Sequence, residues 1–248
     1  MRTVELLFFV PLACVTTGLA AYLAYLLPGA FRASATVRDA SERELADPTA
    51  VGKVVAMRGT VRVDTPLDPP FGDAGALAWW GVEIEGKKRN YRGRVVHSVS
   101  ERLFRGTVFE LREGQAAIRI DPTGCDVDGA KELETRLGHV EKLPGVVQDL
   151  LKDARFDRDK MSFTVTLRGL VAGDTLTAVG APVPLDAPAS YRDLPPPTLF
   201  FGEPTDLSTR SLPDLVTHRL HQATAGVLGL MFLTALAASS WWAVFAWW

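Results

Sequence analysis

Apolar positions cluster without interruption at the two ends of the chain and alternate with polar ones between them. Residues 223–240 carry no charge, are dominated by Leu, Ala, Val, Met and Phe, and run into the aromatic cluster Trp241, Trp242, Phe245, Trp247 and Trp248. A helix of that length spans a bilayer core of about 30 Å at about 1.5 Å rise per residue. Aromatic clusters of this kind belong at headgroup level. At the other end residues 6–27 hold no charged side chain at neutral pH, their only polar rings being Tyr22 and Tyr25. Two transmembrane helices are predicted, at 1–28 and 223–248. The rival for the first is a cleaved signal peptide, with Arg2 as its positive start and Ala33, Ser34, Ala35 as its small-residue cleavage site. The apolar run exceeds the roughly 7 to 15 residues of such a segment, which favours a retained anchor.

Between the anchors the period changes. Pro28 and Gly29 close the first run, and residues 29–50 read as a juxtamembrane linker with a short charged helix at 37–45, broken by Asp47 and Pro48. From residue 51 the period is two. Residues 53–64 predict a strand bent at Gly59, residues 67–72 a loop, and residues 79–85 and 91–100 a hairpin with a polar tip. Residues 107–111 and 116–120 form a second pair around Glu113 and Gly114, followed by the turn Asp121, Pro122, Thr123, Gly124. Leu143, Val146, Val147, Leu150 and Leu151 recur at steps of three and four, so a helix interrupts the strands, with Pro144 in its first turn. Strands resume at 161–167 and 175–178. Residues 182–204, with Pro195, Pro196 and Pro197, read as an extended connector within the segment 184–222 that returns to the membrane. Glycines 59, 124, 173 and 180 read as turn or bulge positions.

The fold class expected is therefore mainly β: one small, mostly antiparallel, barrel-like domain at 51–183 with an inserted helix, held between two transmembrane helices. The roughly 175 to 195 residues left between the anchors suffice for one such core.

Composition narrows the chemistry. A net charge of −2 opposes a generic nucleic-acid binder, whose domains are usually strongly basic. There are two cysteines: Cys14 lies in the first apolar run and Cys125 in the middle, so no disulfide is expected between them. No CxxC occurs, so neither a zinc finger nor a RING can be assembled. Arg32, Arg38, Arg43, Arg210 and Arg219 on the inner side of the anchors favour a cytoplasmic central domain, although Asp39, Glu42, Glu44 and Asp47 lie among them.

The order of motifs resembles the GIDE, or beside-a-membrane, domain. The segments carrying the resemblance are 54–63 (VVAMRGTVRV), the strand at 79–85, 107–124 (TVFELREGQAAIRIDPTG) and 169–179 (GLVAGDTLTAV), all within 51–183. The family holds bacterial membrane proteins and mitochondrial ubiquitin ligases, and two flanking anchors are part of its layout. In the ligases a RING beyond the second anchor recruits the ubiquitin-conjugating enzyme. These 248 residues carry none, so ligase activity is not expected of them. Where the family has a DGTG-style turn, this chain has Arg112, Glu113, Gly114, Gln115. The mitochondrial members hold the domain on the side equivalent to the outside of a bacterium, opposite to the charge count, and the side stays open.

Candidate sites follow from residue type. Lys87, Lys88, Arg89, Arg92 and Arg94 place five cations on one hairpin, suited to anionic headgroups or an acidic partner, or serving to keep a strand tip soluble. His218 and His221, three apart with Asp214 nearby, have metal-ligand spacing but too few companions. His97 with Cys125, or His139 with Glu141 and Asp126, would make a nucleophile and base only if the fold assembled them. Asp121, Asp126 and Asp128 lack the spacing of a calcium loop. No catalytic residue, cofactor or metal is expected. The leading expectation is a non-catalytic module, anchored in the bilayer, that binds a protein partner and acts as a scaffold. A hydrolytic or ubiquitin ligase-like enzyme component, the latter borrowing its RING from another chain, and a sensor of anionic lipid or ligand are the alternatives.

Overall fold

The computed structural model describes residues 2–45, 47–89, 95–139, 143–152, 161–185, 199–202 and 204–247. In chain order these form α1 (Arg2–Asp39), β1 (Ser41–Glu42), β2 (Val55–Arg62), β3 (Leu77–Arg89), β4 (Val95–Gly106), β5 (Phe109–Glu113), β6 (Ala116–Ile120), β7 (Val127–Asp128), β8 (Lys131–Gly138), α2 (Gly145–Lys152), β9 (Met161–Val171), β10 (Thr175–Gly180), β11 (Val183–Pro184), β12 (Leu199–Phe201), β13 (Asp206–Ser208) and α3 (Leu212–Trp247). They make two compact units, 1–39 with 212–248, and 40–211.

The first unit is the pair α1 and α3, both long and apolar enough to cross a membrane. α1 does not end at Pro28 and Gly29: it continues to Asp39, and β1 follows where the juxtamembrane helix was expected to extend to residue 45. The helices meet through small residues. Ala13, Thr16, Ala237 and Ser240 are buried, and a Cβ on Gly226 would lie 3.0 Å from Leu27 Cδ2. Close approach through small side chains is how helices associate when the surroundings are as apolar as they are. Trp241 Nε1 donates to Thr17 Oγ1 at 3.2 Å, while Leu228, Met231, Phe232 and Phe245 point outward.

The second unit is α+β and is not a closed barrel. Its strands form two separate sheets, one of nine strands in the order β11-β12-β6-β5-β2-β10-β13-β7 with β1 beside β2, the other in the order β4-β3-β9-β8. The pairing is mixed, since β1 with β2, β12 with β6 and β13 with β7 run parallel. β12 and β13 come from the stretch expected to be a connector, so that stretch completes the larger sheet. Pro195, Pro196 and Pro197 lie outside the described residues.

Two cores result, and adjacent residues of β3 feed both. Side chains alternate across a strand. Trp79 therefore enters the core of the larger sheet with Met57, Phe109, Leu111, Ile118 and Phe201, whereas Trp80 joins Val82, Ile84, Phe163 and Val165. α2 covers this second core through Val147, with Leu143 ahead of it. Pro144 directly precedes the helix, and its carbonyl accepts the Gln148 N–H.

Glycine roles divide. Gly124 and Gly173 adopt φ of +79° and +96°, as turns require. Gly59 and Gly180 lie inside strands and are instead sites of close approach, a Cβ on Gly59 meeting Leu45 Cδ1 at 3.0 Å and one on Gly180 meeting the Phe201 ring at 3.2 Å.

Candidate functional site

β2 is paired with β10 from Val55 to Thr60, but its other edge changes partner. β1 pairs with it at Ser41↔Val55 and Glu42↔Ala56, and one more bond follows from Arg43 N to Ala56 O at 2.9 Å. β5 pairs with it from Arg112↔Thr60 onward. Among the described residues, 57–59 have no strand partner on that edge.

A groove of about 700 Å³ opens at this gap. Its walls are Glu42, Arg43 and Glu44 from the β1 side, Arg58, Gly59 and Thr60 from β2, Arg112, Glu113 and Gly114 from the β5 turn, and Thr175 from β10. The register explains the polar lining, because Thr175, Thr60 and Arg112 stand in one row across three strands, on the face opposite the buried Val61 and Leu111. Gly114, at φ +58°, makes the tight β5–β6 turn that brings Glu113 to the rim.

Arg112 is the most constrained side chain of the wall. Its Nε and Nη2 donate to Glu110 Oε2 at 2.9 and 2.6 Å, and Arg119 reaches the other oxygen of Glu110 at 3.7 Å. Arg112 Nη1 is buried and, among the described residues, has no acceptor. A buried guanidinium donor without a partner costs free energy that a ligand acceptor would offset. Across the groove Arg43 pairs with Asp47 at 3.6 Å. Asp47 accepts from the hydroxyl and the N–H of Thr49, and these bonds, the hydroxyl first, hold its carboxyl below its ordinary pKa.

Three cations, Arg43, Arg58 and Arg112, balance three carboxylates, Glu42, Glu44 and Glu113, in the lining. A balanced lining suits a polar extended peptide, with donors and acceptors alternating, better than a polyanion.

Among the described residues, the candidate metal ligands and the pair His97 and Cys125 are not brought together. Lys87 pairs with Glu85 at 3.0 Å; Arg89 ends β3, and Arg92 and Arg94 lie outside the described residues. His97 is opposite Lys88, whereas Cys125 accepts through its carbonyl from Trp79 Nε1. Lys88 and Trp79 are nine residues apart on one strand, about 30 Å. His139 is exposed and contacts Met161 O at 3.1 Å; Glu141 lies outside the described residues, and Asp126 is 3.8 Å from Arg102. Asp121 caps its own turn through Thr123 N, and Asp128 binds Arg210 at 3.0 Å. His218 contacts Gln222 at 3.0 Å while His221 is exposed. The groove residues escaped the sequence reading, although the alternation of Arg58, Thr60 and Arg62 already marked a polar face.

Comparison with family models, curated proteins and solved structures gives no match for this chain.

Proposed function

We propose that this chain is a two-pass membrane protein whose central domain binds an extended segment of a protein partner in the groove between β1 and β5, as a scaffold without catalysis of its own. The observation that carries the reading is the interrupted edge of β2: among the described residues, 57–59 lack a strand partner on one side, beside a polar groove of about 700 Å³. An incoming strand gains main-chain hydrogen bonds there, and the alternating charges select its side chains. The apolar helices α1 and α3 supply the tether. The resemblance of the motif order to that of the GIDE domain supports the same layout of a β domain held between two anchors. The separation of His97 from Cys125 supports binding over catalysis.

The test is co-purification of the full chain from its own membranes in mild detergent. One partner recovered in fixed ratio, and lost on Arg58→Glu without a change in thermal unfolding, is the expected result. Recovery of the chain alone, or a partner indifferent to Arg58→Glu, contradicts the proposal.

A further inference from the structure

β4 ends the four-stranded sheet, and among the described residues no strand pairs with its outer edge. At 12 residues it is about twice the usual strand length. An open edge of that length is a template for another strand.

Its charges suggest which strand. Glu101 and Arg105 lie on the same face of the sheet, opposite Ile84 and Trp80 of β3. Both are exposed, and among the described residues neither has an ion-pair or hydrogen-bond partner. They are four residues apart on one strand, about 13 Å, so they cannot pair within a chain.

They do pair between two copies. When a strand meets its own copy antiparallel within one continuous sheet, paired residue numbers sum to a constant, and matching of faces requires that constant to be even. Centring on Leu103 sets Glu101 against Arg105 of the second copy, twice, with Arg102 beside Phe104 of the second copy. Leu103, half-buried against the second core, meets its own equivalent. Centring on residue 101, 102 or 105 places identical charges face to face, which destabilises a sheet. Of the registers centred on residues 99 to 105, only that on Leu103 pairs permanent opposite charges.

We infer that a second copy of this chain docks on β4, antiparallel and centred on Leu103, joining two four-stranded sheets into one of eight. This surface is independent of the β2 groove.

The experiment uses the full chain in mild detergent. Mass determination over a dilution series is expected to show a dimer. Glu101→Arg and Arg105→Glu are each expected to raise the dissociation constant at least tenfold, and the double exchange Glu101→Arg with Arg105→Glu to recover most of it. With Cys14 and Cys125 replaced by Ser, Leu103→Cys is expected to form a covalent dimer under mild oxidation and Ser98→Cys is not. A monomer at every concentration, a dimer indifferent to Glu101→Arg, failure of the double exchange to restore it, or equal cross-linking at 98 and 103 overturns the inference.

Discussion

The indole N–H of Trp79 donates to the carbonyl oxygen of Cys125 at 3.0 Å, fixing the start of β3 to the turn that follows β6. Trp79 is 1% exposed. Trp79→Phe keeps most of the apolar contact but leaves that carbonyl unpaired, at a cost of about 1–3 kcal/mol. Trp79→Ala also opens a cavity and costs about 3–5 kcal/mol. Thermal unfolding in detergent should rank wild type, Phe and Ala in that order; equal losses for the two variants would remove the hydrogen bond from the account.

Gly81 provides the floor under that indole. A Cβ there would lie 2.6 Å from Trp79 Cη2, closer than real side chains approach, and the rigid ring cannot yield as a flexible chain end would. Gly81→Ala is therefore expected to destabilise by about 1–3 kcal/mol. Gly75→Ala, whose Cβ meets nothing within 4 Å, is the matched control and should unfold close to wild type.

Two glutamates each hold two arginines, and their surroundings predict different consequences. Glu83 binds Arg102 at 2.9 Å and Arg168 at 3.1 Å, with both guanidinium groups about half exposed, so Glu83→Gln should cost about 1 kcal/mol or less and the cost should shrink in salt. Glu110, 8% exposed, holds Arg112, 15% exposed, so Glu110→Gln should cost about 3–5 kcal/mol with little salt dependence. Replacing both members, Glu110→Leu with Arg112→Met, should restore most of the stability while weakening partner binding. Denaturant titration at low and high salt, beside co-purification, separates the two effects.

The turn at 48–50 offers a pH test. Asp47 accepts the Thr49 N–H at 2.8 Å and its hydroxyl at 2.7 Å, which favours the ionised carboxylate. Its folded pKa is lowered, so its contribution is complete above the ordinary carboxylate value of about 3.9 and is lost as pH falls through the lower folded value. The Thr49 amide resonance should titrate with a midpoint below that ordinary value, and Asp47→Asn should abolish the titration. A midpoint at or above it would mean that the cap is not formed.

The local elements were legible in the sequence, but their partners were not. The hairpin around Trp80, Val82 and Ile84, the β5–β6 pair around Gly114 and the helix after Leu143 all follow from periodicity. β8 was missed because Leu133 and Leu137, its only apolar side chains, stand four apart as on a helix; β8 is an edge strand with a bulge near Leu133, and Leu137 is 76% exposed. β1, β7, β11, β12 and β13 have two or three residues each, too few to show a period, and they join the sheet through non-local pairing. The barrel expectation failed for the same reason: the longer strands were readable, but the split into two sheets depends on long-range pairs such as Thr177↔Arg58. The groove was hidden because it is made by a change of partner along β2, which no single segment encodes.

The central claim is that the gap beside residues 57–59 holds a segment of another protein. The most direct measurement places a photo-reactive amino acid at Thr60, in the groove, and at Ser162, on the open face of the smaller sheet, in the full chain within its native membranes. The account predicts one discrete heterologous adduct from position 60, distinct in mass from a dimer of the chain itself, and none of that mass from position 162. No heterologous adduct at position 60, or the same adduct from both positions, would contradict it.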